Sequence, residues 1–187
     1  MTENASELDT VLEAVSILHA WRTRGNITQR VRHRFAGEPA REFEVVADPG
    51  TLSYRVTDTE TGLVDSFDGV TRTLIVGGAE HPYDLSMIIF EPMPVRLAFP
   101  LALGIWGTST GGYRITGGTD AGDNIVLHLA HGTDDTLRGT LTVSRPHRMA
   151  IRLETPGQTI AYTDLRPISE GYAFIAGRRP SPDSTAE

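Results

Sequence analysis

The chain has no cysteine and no lysine, so all 17 basic residues among its 187 are arginine. Without cysteine there is no thiol nucleophile, disulfide or thiolate metal site. Without lysine there is no side-chain Schiff base and no Walker-type phosphate lysine. Aromatic residues are sparse at 7%, and the greasiest stretch, residues 85–106, is broken by Pro92, Pro94 and Pro100. A bilayer-spanning helix needs about 20 uninterrupted apolar residues, so no stable membrane insertion is predicted. The net charge of -7 repels phosphate backbones and argues against nucleic acid as a partner. There is no Gly-x-Ser-x-Gly elbow, no P-loop and no dinucleotide fingerprint. No cofactor is expected.

What remains is 39% hydrophobic and 22% charged, the balance of a single globular domain. The expectation is one ligand-binding β-barrel-like domain over residues 1–176 and a disordered tail over 177–187, where Pro and Ser accumulate. The acidic start Met1-Thr-Glu-Asn lacks the basic and then apolar order of a secretory signal, which predicts a cytoplasmic protein.

One helix is expected first. Leu8, Leu12, Val15, Leu18 and His19 recur at three- and four-residue steps with Trp21 beside them, and this stripe reads as the buried face. Ser6 is the predicted N-cap, with Glu7 and Asp9 suiting the positive helix end, and Gly25 the predicted stop near Arg24.

The period then changes to two. Along Ile27–Phe35, Thr28, Arg30, Arg32 and Arg34 point one way, and Ile27, Gln29, Val31, His33 and Phe35 the other. Three arginines on one face place that face in water. Residues 42–47 alternate similarly, and Leu52, Tyr54 and Val56 form the next apolar face. Asp68-Gly69 predicts a tight type I′ hairpin. Further strands are expected at 71–76, 113–116, 124–131, 136–144, 148–154, 158–166 and 172–176. Turns are expected at Gly117-Gly118, residues 132–135, Arg145-Pro146 and Pro156-Gly157. Residues 94–106 suggest short, mostly apolar helices. Such a segment must be covered on several sides, and a strongly curved antiparallel sheet would cover it. The fold expected is mainly β: a half-barrel or open barrel whose concave side is closed by the N-terminal helix and the apolar segment 86–106.

That order of segments resembles the bacterial lipoprotein carriers and receptors with the LolA/LolB-like fold. The shared features are a helix, a strand like Ile27-Thr-Gln-Arg-Val31, an Asp-Gly turn like Asp68-Gly69, a Pro/Leu-rich segment like 94–103, and a second meander like 113–166. The resemblance implies an apolar cavity between sheet and helices that receives acyl chains or another hydrophobic small molecule. The residues include no cysteine for lipidation, and the acidic start predicts no signal sequence of that family's kind. By architecture alone, pericyclase-type β-barrel cyclases offer a second comparison.

Polar residues in phase with apolar ones mark the candidate site, since an unpartnered buried polar group costs about 1–3 kcal/mol. His33, Tyr54, Asp65 and Arg72 are the candidate catalytic groups, with His33 the acid–base group nearest neutrality. Gln29, Phe35, Phe67, Phe90, Phe99, Leu103, Trp106 and Tyr162 are the candidate ligand-binding residues. The structural alternative pairs Asp65 with Arg72 across the Asp68-Gly69 hairpin, if Ser66 and Thr71 are opposed. His128 and His131 stand three apart on a strand and face opposite sides, so no metal site is expected. Two functions follow. The protein holds a hydrophobic acyl or polyketide-like molecule, or the same cavity folds such a substrate as a cofactor-free cyclase or isomerase in antibiotic biosynthesis. A homodimer is the remaining partner considered.

Overall fold

A computed structural model of the chain describes residues 3–23, 25–81, 92–107 and 112–167. Helix α1 (Glu3–His19) runs into a 3-10 turn, Ala20–Thr23. A first meander follows: β1 (Ile27–Phe35), β2 (Arg41–Asp48), β3 (Ser53–Asp58), β4 (Val64–Asp68), β5 (Thr73–Val76) and β6 (Ala79–His81). Two 3-10 turns, Met93–Ala98 and Pro100–Ala102, lead to the second meander. It comprises β7 (Tyr113–Ala121), β8 (Asn124–His131), β9 (Arg138–Ser144), β10 (Met149–Thr155) and β11 (Gln158–Pro167). The last strand returns to pair with the first. All eleven therefore form one antiparallel sheet, ordered β6-β5-β4-β3-β2-β1-β11-β10-β9-β8-β7, curved and not closed. Register breaks at Arg30/Val31, Ile115/Gly117 and Ala150/Arg152 sharpen the twist, as bulges do.

The concave face is the core. Val31, Val45, Val56, Leu127, Leu141 and Ile160 are all buried there. Helix α1 covers β7 to β10, and Met93–Ala98 lies against β1, β2, β3, β10 and β11. Each fully buried aliphatic side chain contributes about 1.5–3 kcal/mol, so the proline-rich segment is a structural plug in its own right.

The helix corrects the sequence reading in two respects. Ser6 lies inside α1, where its carbonyl accepts from Thr10 Oγ1 at 2.9 Å, so it is not the N-cap. The buried face is Thr10, Ala14, Ile17, Leu18 and Trp21, whereas Leu8 and Leu12 stand 57% and 56% exposed. The first part of this face, Thr10 and Ala14, is small because the helix backbone comes close to the sheet there. Gly117 and Gly118 permit that approach from the middle of β7, and are not the turn expected there. A Cβ on Gly117 would collide with Glu7 Oε1, and one on Gly118 would stand 3.0 Å from Val11 Cγ2. Arg145 fastens the same junction. Its guanidinium meets Glu13 of α1 at 2.8 and 2.9 Å and Asp120 of β7 at 2.8 and 3.1 Å.

Candidate functional site

The β1 alternation emerges as the sequence implies: Gln29, Val31 and His33 are buried and Arg30, Arg32 and Arg34 exposed. The inner row ends at Phe35, which is 43% exposed at the rim of the trough. There the end of β1, the turn of the β10–β11 hairpin, the start of β7, the end of β8 and Met93 converge. They surround an open hollow of about 410 Å³ lined by Phe35, Met93, Tyr113, His131, Leu137 and Gln158, among others. Leu137 is 37% exposed, so the rim is apolar as well as open.

His33 sits one step inside this mouth, 6% exposed, its ring 4.4 Å from that of Phe35 in an edge-on contact. The Gln158 side chain stands next to the imidazole. That is close enough to favour the protonated ring, yet it leaves both Gln158 Oε1 and His33 Nε2 unsatisfied. Burial dominates and holds the His33 pKa below its ordinary value. Arg41 and Arg96 push the same way, and Gln158 and Glu38 oppose them. The ring is therefore neutral at pH 7.

Further down the row, Gln29 is 1% exposed and neither of its amide atoms has a partner. All four unsatisfied buried side-chain atoms among the described residues belong to Gln29, His33 and Gln158, on the paired strands β1 and β11.

The other candidates divide. Tyr54, Phe67 and Phe99 form an aromatic cluster with Trp21, at ring separations of 5.6 to 6.3 Å, inside the core. Tyr162 donates to the Val95 carbonyl at 3.3 Å and Leu103 is buried. Trp106 is half-buried and donates to the Pro100 carbonyl at 2.9 Å. Phe90 lies outside the described residues, as do the strand expected at 172–176 and the tail 177–187.

Among the described residues, Val95, Leu97, Ala98 and Phe99 pack into the trough. A hollow lined by described residues opens at the mouth of the trough.

The hairpin reading is corrected. The register opposes Ser66 to Ile75 and Asp68 to Thr73, so Thr71 does not face Ser66 and Asp65 cannot meet Arg72. Asp65 instead accepts from the Gly77 amide at 2.7 Å, while Arg72 is exposed in the loop with φ 57°. The loop widens because Asp68 Oδ1 caps the amides of Val70 and Thr71 at 2.8 and 3.1 Å. Gly69 serves close contact with the Thr51 carbonyl, not a positive φ. Asp65 and Arg72 therefore form neither a pair nor a shared site.

Gln158 and Tyr113 are site residues that the sequence reading does not single out. The edge position of one in its hairpin and the pairing of the other with His131, ring to ring at 5.3 Å, exist only in the folded chain. Among the described residues no three His, Asp or Glu side chains converge as metal ligands, and no helix is long and apolar enough to cross a membrane.

No protein-family model matches the chain, and no curated protein matches it. Among solved structures it is similar to a chain of the MucA/MucB complex from Pseudomonas aeruginosa, with TM-score 0.46 and 15% identity over 82% of this chain and 55% of that one. It is also similar to an uncharacterized conserved protein from Thermus thermophilus (TM-score 0.44, 11% identity, 84% and 87% covered). A LolA superfamily protein from Nitrosomonas europaea is a third (TM-score 0.31, 14% identity, 83% and 94% covered). The chain thus spans little more than half the length of the MucA/MucB chain it matches. At these identities and scores the likenesses establish no family and transfer no activity or partner.

Proposed function

We propose that the protein binds an apolar small molecule at the mouth of the trough, with His33 and Gln158 meeting its polar group. The observation that carries this reading is the open, apolar-rimmed hollow of about 410 Å³ beside two buried, unsatisfied polar atoms. Concave apolar surface with a few convergent polar groups is how small-molecule sites are built. Acyl and polyketide-like molecules have the matching character. The second reading is a cofactor-free cyclase or isomerase working in the same hollow. One observation favours it: a neutral, buried His33 is a competent general base at pH 7.

Titration with the neutral fluorophore Nile red tests the binding reading. Saturable fluorescence enhancement at one site is expected, and Phe35→Ser or Leu137→Ser should weaken it severalfold, since both side chains are partly exposed and removable without unfolding the core. Enhancement that never saturates, or that both variants leave unchanged, overturns it. His33→Ala would separate the two functions, because a base contributes to turnover more than to affinity.

A further inference from the structure

The outer face of the same strands carries a second hollow of about 410 Å³, whose lining includes Arg32, Arg34, Arg152, Thr159, Ala161 and Thr163. Its floor follows from the register. Ala161 of β11 is opposed to Arg32 of β1 on one side and to Arg152 of β10 on the other. Two arginines thus flank the one small residue in the row, about 9–10 Å apart across two strand spacings. Along β11, Thr159 and Thr163 stand two residues before and after Ala161, at the two ends of the depression, with the Thr163 hydroxyl donating to the Arg30 carbonyl at 3.4 Å. Arg34 lies two residues along β1 from Arg32, opposite Thr159.

The charges are only partly answered within the fold. Arg152 Nη2 donates to Glu154 Oε1 at 2.6 Å, which orients it and leaves its other donors free. Arg30 stands 4.0 Å from Glu44. Among the described residues neither Arg32 nor Arg34 enters a salt bridge, although Glu42 is opposed to Arg32 on β2. Arg32, Arg34 and Arg152 against Glu154 leave a local charge of +2 at this hollow, in a chain whose net charge is -7.

We propose that this hollow is a binding site for a tetrahedral oxyanion: a phosphate, free or as the monoester of a small molecule. Guanidinium forks from two sides match phosphate oxygens in geometry and charge, and the Thr159 hydroxyl adds a donor that does not depend on charge. A local +2 balances a monoester dianion. The site is independent of the mouth, since its residues point to the opposite face of the sheet.

The test is NMR of the arginine Nε–Hε and backbone amide signals, at low ionic strength, during titration with inorganic phosphate and separately with glycerol 3-phosphate. Saturating shifts are expected at Arg32 and Arg152 and at the amides of Thr159, Ala161 and Thr163. Saturation by glycerol 3-phosphate identifies a phosphate monoester as ligand. Saturation by inorganic phosphate alone identifies the free ion. Arg32→Gln should weaken binding about tenfold, as loss of a charged hydrogen-bond donor does. Ala161→Leu fills the hollow and keeps every charge, and should abolish saturation. Should Ala161→Leu unfold the strand, seen as lost amide dispersion, Arg32→Gln on the exposed face carries the test. Shifts shared equally with Arg22, Arg55 and Arg148, or surviving in folded Ala161→Leu, would show ordinary screening of exposed arginines and overturn the site.

Discussion

Gly118 in the middle of β7 lies directly beneath Val11 of α1: a Cβ on the glycine would stand 3.0 Å from Val11 Cγ2 and 3.4 Å from Leu127 Cδ2. The missing side chain is what lets the helix sit on the sheet. Gly118→Val should therefore force the two apart and destabilise the fold by about 1–3 kcal/mol, the usual effect of overpacking. Urea denaturation measures it, and hydrogen exchange should show α1 losing protection before β1 and β11. An unchanged urea midpoint would mean the contact is not tight.

Gln29 makes an opposite prediction. Its amide is buried with neither atom partnered, so the fold carries the desolvation cost with no hydrogen bond to offset it. Gln29→Leu keeps the approximate volume, removes both polar atoms, and should raise stability by about 1–3 kcal/mol. A lower urea midpoint for this variant would show that the amide is satisfied in solution.

His33 gives the chain a pH dependence whose sign follows from burial. Its folded pKa lies below the unfolded value near 6.5, so between the two the unfolded chain binds the extra proton. Stability is then fully present above pH 6.5. It falls as pH drops from there toward the folded pKa, and below that the His33 contribution to the loss is complete. The charged groups facing the ring are Arg41, Arg96 and Glu38. His33→Phe should flatten the thermal-midpoint profile between pH 5 and 7. A profile unaltered by the substitution would assign the slope elsewhere.

Most strands are legible in the sequence because a half-buried strand writes its two faces into alternate residues. The expected strand at 124–131 matches β8 to the residue, and the Arg30, Arg32, Arg34 face of β1 lies in water as expected. The helix face differs at Leu8 and Leu12, since periodicity reports a stripe without saying whether the sheet can accept large side chains there. Gly117 and Gly118 read as a turn because glycine marks both a bend and a close approach, and sequence alone does not separate them. In the candidate site, His33, Gln29 and Phe35 are found from their phase on one strand. Asp65 and Arg72 are not separable until the hairpin register is known, since a shift in register changes every partner.

The order of residues by itself determined that this chain builds a mainly β, helix-covered sheet with no thiol or lysine chemistry, because composition and alternation act within a few residues. Only tertiary structure decided that β11 returns to β1, that the proline-rich segment packs into the trough, and that an apolar-rimmed hollow opens at its mouth. Those outcomes depend on contacts between segments far apart in the chain, where packing volume and strand register, not local preference, select the arrangement.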